Sequence, residues 1–267
     1  MGADQFILRL SYDQLAWLMV TLRIPPLLGM PAALYPERQM ALNRLQAGRA
    51  ALQAAGIIAF TDEGKLEIDA AVSGTLAGCA RALHAIMGAA RGQGEATARL
   101  TIYYFSPELA VKHEYDGDAL IHTFTASLTW DWMIKQCVLD VSSAPFTPLT
   151  IDTHSLHIDV LKSINENATP DIGAVLRASK MPKAQVIALI DAFKGYDVQH
   201  SLALLDVQSG DGTRQTMGSI TLTVFVRNGH GVCVDVQDST TVRVRPYSSE
   251  QLEHEIAARI HTALVVE

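Results

Sequence analysis

Four histidines stand where their spacing could do chemistry. His154 and His157 lie three apart, with Asp152 and Asp159 close by. On one helix that spacing would present ligands on a single face. A metal site needs at least a third convergent ligand, and none follows from the sequence, so solvated helix polars are expected. His113 and His122 flank the turn Asp116-Gly117-Asp118. If that turn pairs Tyr115 with Asp118, then Val111, His113, Tyr115, Leu120, His122 and Phe124 share one sheet face. The face is mostly apolar, which favours packed, hydrogen-bonded imidazoles over catalytic ones. Asp116-Gly117-Asp118 and Asp211-Gly212 are fragments of acidic metal loops without the full ligand pattern. Gly229-His230-Gly231 lacks the third glycine and the following helix of a dinucleotide site. No GxSxG, HExxH or P-loop occurs. The expectation is a protein without catalytic residues, cofactor or metal.

The remaining candidate is Trp130-Asp131-Trp132. Indoles are costly to expose, and alternation along a strand would put both on one face. One reading is a lid packed on a sheet. The other is a partner-binding surface, where tryptophan is over-represented. Trp130 and Trp132 are therefore the candidate site residues for a protein partner.

Composition narrows the class. With 49% hydrophobic and 18% charged residues, the 267-residue chain can bury a substantial core and is not of the disordered type. Its net charge of −7 argues against a nucleic-acid surface. Cys79, Cys137 and Cys233 are far apart and odd in number, as expected of reduced thiols buried as small hydrophobes. The opening Met1-Gly2-Ala3-Asp4-Gln5-Phe6 has no basic segment followed by an apolar one, and Phe6 stands where myristoylation wants serine or threonine. No apolar run reaches the roughly 18 residues of a membrane helix. A cytoplasmic location follows as the expectation.

These residues must be positioned by recognisable elements. Gln5 to Leu10 reads as a buried strand, and Ser11 with Gln14 forms a capping box for a helix carrying Leu15, Leu18, Met19 and Leu22. Pro25-Pro26 stops that helix, and a proline-punctuated loop runs on to Pro36. Glu37 to Ala55 is a second helix, followed by a small hairpin over Ile57–Phe60 and Leu66–Ile68. A third helix is expected over Ala70 to Ala90. Four strands should follow: Arg99–Phe105, Leu109–Tyr115, Ala119–Ser127 and Met133–Val141. The connector Ser142-Ser143-Ala144-Pro145-Phe146-Thr147-Pro148 cannot continue a central element. After it come a strand at Leu149-Thr150-Ile151, a helix from Thr153 to Asn165, and a short helix within Pro170–Ser179. A helix opened by Pro182 runs to Phe193. Strands are expected at His200–Val207, Gln215–Val226, Gly231–Gln237 and Thr241–Arg245, and a last helix over Ser248 to Val265. The two sides share one order, so the fold class expected is α+β. It would comprise two topologically similar halves, residues 1–144 and 145–267, related by a quasi-twofold. Each would hold an antiparallel sheet of about four strands packed with helices.

Two stretches resemble the EspG family, the chaperones of type VII secretion. Phe6-Ile7-Leu8-Arg9-Leu10-Ser11-Tyr12-Asp13-Gln14-Leu15 is similar to that family's opening strand, hydroxyl, acidic residue and leucine. Ala47-Gly48-Arg49-Ala50-Ala51-Leu52-Gln53-Ala54-Ala55-Gly56-Ile57-Ile58 is similar to its helix and closing glycine. The proline-rich Pro25–Pro36 segment departs from the family's pattern. The resemblance implies a cytosolic, non-enzymatic protein that shields the apolar tip of a helical secretion substrate, the family's clients being PE–PPE heterodimers. It transfers no binding residue. Two other readings stay open. The helix ending at Ala55 with its hairpin is also the outline of a winged-helix regulator, although it offers only Arg38, Arg44 and Arg49 for phosphate. An enzyme of unrecognised class would need His113, His122 or Asp131 to converge in a deep pocket.

Overall fold

The computed structural model describes residues 5–30, 35, 37–95, 98–117, 119–141, 144–166, 170–210 and 213–262. Pro31 to Leu34, Pro36, Asp118, Ser142-Ser143 and Asp211-Gly212, which figured in the loops and turns above, lie outside the described residues. In chain order the elements are β1 (Gln5–Ser11), α1 (Tyr12–Leu22), α2 (Arg38–Ala54), β2 (Ile58–Phe60), β3 (Leu66–Ile68) and α3 (Ala70–Ala80). There follow β4 (His84–Gly92), β5 (Arg99–Phe105), β6 (Ala110–Asp116), β7 (Ile121–Ser127) and α4 (Trp130–Val141). Then come β8 (Thr147–Pro148), β9 (His154–His157), α5 (Ile158–Glu166), α6 (Ile172–Ser179) and α7 (Lys183–Lys194). The chain closes with β10 (Val198–Gly210), β11 (Thr213–Arg227), β12 (His230–Val236), β13 (Thr241–Tyr247) and α8 (Ser249–Thr262). The fold is α+β. Every pairing of described register is antiparallel except one: the two residues of β8 run parallel to β12, against the expectation of antiparallel pairing throughout.

The chain forms two compact units, one of residues 1–87, 101–133 and 205–219, the other of 88–100, 134–204 and 220–267. In the first, the hydrogen-bonded order is β1-β7-β6-β5-β4. Leu8 and Leu10 of β1 share a face with His122, Phe124 and Ala126 of β7 and with Val111 and His113 of β6. That face is buried, and α1 packs on β1 and β7 while α3 packs on β6. The capping box at the head of α1 forms as the sequence implies. The Ser11 amide donates to Gln14 Oε1 (2.8 Å), and the Gln14 amide donates to Ser11 Oγ (3.3 Å).

Helix α2 crosses α1 at Gly48. A Cβ there would overlap the Asp13 backbone carbonyl, so the helices approach only because the position has no side chain. Asp13 also holds α2 through Arg44 Nη1 (3.2 Å) and accepts from Tyr35 Oη (2.7 Å). Replacing Gly48 with Ala is expected to destabilise the protein by about 1–3 kcal/mol, the usual cost of overpacking. Thermal unfolding checks this; an unchanged midpoint would show that α2 is not seated on Asp13.

In the second unit the order is β10-β11-β12-β13-β9. Val232, Val242 and Val244 join a core with Val160, Leu161 and Ile164 of α5 and Val186, Leu189 and Phe193 of α7. On β12 and β13, Asp235 lies between two arginines: Arg243 Nη2 at 2.7 Å and Arg245 Nε at 3.1 Å. Arg245 also reaches Glu255 of α8 (2.8 Å), which accepts from Tyr247 Oη (2.6 Å). Leu252, Ile256 and Ile260, four apart, form the buried stripe of α8.

Four elements differ from the sequence-based expectation. Residues 133–141, expected as a strand, are helical, and their buried positions Met133, Ile134, Cys137, Val138 and Val141 follow the helical period. The helix expected over Ala70–Ala90 stops at Ala80. Its second half is β4, and just before it the Leu83 amide donates to Phe105 O (2.9 Å) while the Leu83 carbonyl accepts from Val207 (2.8 Å). Residues 154–157, expected at the start of a helix, form β9 on the edge of β13, and the Leu149–Ile151 strand is replaced by β8 just before it.

Candidate partner-binding surface

Helix α4 begins with the two tryptophans. Ser127 Oγ accepts from the Thr129 amide (3.2 Å), and Thr129 O accepts from Met133 in the first helical turn (3.4 Å). Trp130 donates from Nε1 to the Ser106 carbonyl (3.0 Å) and meets Phe105 edge-on, with centroids 5.9 Å apart. Its indole therefore pins the 106–109 turn, and it is half-buried. Trp132, also half-buried, lies two residues on. On a helix that separates the side chains by about 200° around the axis, so the shared strand face expected for the pair does not exist.

Beside this turn is an apolar groove of about 380 Å³ in the first unit. Phe6, Ala126 and Leu128 wall it on the β1–β7 side, Leu109 on the other, and Ala71 and Gly74 of α3 form its floor. Leu128 is 67% exposed, an unusual value for a leucine two residues from a structured indole. Nothing lies within 4 Å of where a Gly74 Cβ would sit, so the floor is open. One helical turn on, Gly78 makes room for Leu109, whose Cδ1 would lie 2.7 Å from an added Cβ. Sequence reasoning singled out the tryptophans and did not point to the groove. Its signal was the run of small residues in α3.

The histidines have other work. His113 Nε2 and His122 Nδ1 are 2.9 Å apart and buried, so one donates a proton and the other accepts. His113 stacks on Phe124 with centroids 4.4 Å apart, and His122 on Tyr115 at 4.6 Å. Burial, and for His113 the neighbouring imidazole, push their pKa values down to about 3 and about 4. Neutral at physiological pH, the pair is packing rather than a proton relay. The expected face is present, but its register is not: Tyr115 pairs with His122 and Asp116 with Ile121, leaving Leu120 in the turn. Asp131 is exposed at the start of α4 while both histidines are buried. His154 and His157 lie at opposite ends of β9 rather than on a helix, and three positions apart on a strand they face opposite ways. His154 Nε2 is 2.9 Å from Gln185 Oε1, and His157 Nδ1 is 3.2 Å from Asp159. Among the described residues no three His, Cys, Asp or Glu side chains cluster as metal ligands.

No family model and no curated protein matches the chain. A solved structure does: the Mycobacterium tuberculosis type VII secretion system chaperone EspG5 in complex with the PE25–PPE41 dimer. The match covers 93% of this chain and 94% of that one, with a TM-score of 0.65 and 13% identity. The fold is that of EspG5. Agreement across nearly the full length of both chains extends the resemblance in the opening strand and second helix to the whole architecture. At this identity the likeness to EspG5 concerns backbone course alone, and the groove and indoles are properties of this sequence. Among the described residues no helix is long and apolar enough to cross a membrane.

Proposed function

We propose that the chain is a non-enzymatic, chaperone-like binding protein that holds an apolar segment of a protein client. The observation that carries this reading is the open groove lined by Phe6, Gly74, Leu109 and Leu128, with Trp130 holding the turn that leads into Leu109. Exposed apolar side chains beside partly buried indoles are the composition of an interface anchor. The EspG5 fold supports the class, since EspG5 is a chaperone solved with a PE25–PPE41 dimer. By that analogy the client is a helical secretion substrate met in the cytoplasm. Residues 1–144 and 145–267 would be two halves repeating one plan, strand, helices, four strands and a helix, related by a quasi-twofold.

The test is co-expression with the PE–PPE pairs encoded by the producing organism, followed by calorimetry on whichever pair is retained. Trp132→Ala is expected to weaken binding by about 2 kcal/mol, the scale of an aromatic hot spot, with the melting temperature nearly unchanged. Gly74→Leu, whose Cβ would meet no neighbour within 4 Å and whose side chain is added to the groove lining, should weaken it as well. If Trp132→Ala unfolds the protein, the indole belongs to the core. If both variants fold and bind as well as the parent, the groove is not the client site.

A further inference from the structure

Helix α2 has a surface that the reading above does not use. From Arg38 to Thr61 the chain carries Arg38, Arg44 and Arg49 and no carboxylate, within a protein of net charge −7. Only Gly48 and Leu52 of α2 are buried, with Ala41 and Leu45 partly so. The 3.6-residue period then divides the rest. Arg38, Leu42 and Arg49 fall on one flank, Met40 and Arg44 on the other, and Ala47, Ala50 and Ala54 point away from the protein. Leu42 is 49% exposed and Met40 40%. Phe60 of the β2–β3 hairpin extends the first flank, lying under the Arg49 guanidinium at 4.7 Å. Arg44 is engaged by Asp13; Arg38 and Arg49 are exposed.

We propose that this face of α2 docks an amphipathic helix of a partner protein whose carboxylates meet Arg38 and Arg49. Charge complementarity selects an acidic partner, because between Glu37 and Asp62 the stretch offers two exposed cations and no carboxylate. The outward alanines select a helix, because small residues let two helix backbones approach closely. They also disfavour a lipid surface, which interfacial helices engage with large side chains such as Trp, Phe and Leu on the exposed face. Nucleic acid is disfavoured by number, since phosphate-backbone binders commonly make about 6–10 contacts. The proposal stands independently of the groove, in which α2 takes no part.

The probe is a synthetic helix-forming peptide of roughly 20 residues, long enough to hold its helix, with Ala and Leu on one face and Glu on both flanks. Its binding to the full chain is followed by fluorescence anisotropy. Saturable binding is expected, weakened at least about tenfold by Arg38→Glu/Arg49→Glu and lowered further by salt. The same peptide with Lys for Glu should regain affinity for the double variant. Both substituted positions are exposed, so circular dichroism should show an unchanged fold. Absence of saturable binding to the parent chain, or equal binding by the variant, overturns the proposal. So does co-sedimentation with phosphatidylserine vesicles that the variant abolishes, which would assign the face to a membrane. A dimer in sedimentation velocity that the variant splits would assign it to a second copy, and overturns it too.

Discussion

Stability is expected to fall steadily as the pH drops from about 6.5 to about 4. Three histidines are buried neutral. His113 and His122 form the stacked pair of the first unit, and His200 of the second donates from Nδ1 to the Asp140 carbonyl (3.2 Å) with Nε2 close against Gly88. Burial lowers the His200 pKa to about 4, against about 3 and about 4 for the pair. A lowered folded-state pKa means that the native form resists protonation. Above about pH 6.5 both folded and unfolded chains are neutral at these sites, and the contribution is complete. Below it the unfolded chain takes up protons that the native chain refuses, at up to about 1.4 kcal/mol per histidine per pH unit. Three such groups remove several kcal/mol by pH 4, a large share of a typical domain's stability. Urea denaturation at successive pH values measures the slope. His113→Phe/His122→Phe replaces both partners with rings of similar shape, which can be nearly neutral at pH 7, and should flatten the profile. A parent protein equally stable at pH 6.5 and 4.5 would refute this account.

The second large effect is expected at Asp235. Its carboxylate is 5% exposed and accepts from Arg243 and Arg245, with the Cys233 thiol donating at 3.2 Å. Burial raises its pKa, but the hydrogen bonds from Arg243 and Cys233 and the charge of Arg245 outweigh that, and the net shift is downward. It is therefore ionised in the native state. Asp235→Ala would leave Arg245 with Glu255 as its one carboxylate partner on that face. Removing one member of such a set costs about 3–5 kcal/mol, because the remaining charge stays buried and undercompensated. Arg243, the more exposed arginine, would recover part of this by turning to water, which places the expectation at the lower end. Thermal unfolding of Asp235→Ala and Arg243→Ala separates the two, and the aspartate variant should be much the weaker. Equal effects would mean that the network is not centred on Asp235.

Most of the fold could be read from residues whose signal is local. The Ser11–Gln14 capping box, the hairpin before Ile68 and the stripe of α8 were fixed by neighbours within a few positions. The errors fell where distant partners decided. His84 to Gly92 is rich in alanine and suits a helix, yet pairing with β5 and β10, distant in sequence, makes it a strand. Residues 133–141 hold β-branched and apolar types, but the period of their buried positions is helical, and that period outranks composition. The same error read the tryptophans as a strand pair, where they form the first turn of α4. The groove was illegible for a related reason. Phe6, Gly74, Leu109 and Leu128 are remote in sequence and meet only after β1 has paired with β7.

That pairing governs the order in which the chain can fold. Gln5 lies opposite Ser127, and β1 has no other strand partner among the described residues. Contacts so distant in sequence impose a large loop-closure cost and slow folding. A ribosome adding about 5–20 residues per second needs roughly 6–24 s to pass from one strand to the other. Throughout that interval Phe6, Leu8 and Leu10 have no sheet to join. β1 can be placed only once β7 has been made, and a nascent chain stalled before β7 presents an unpaired apolar strand to whatever is nearby.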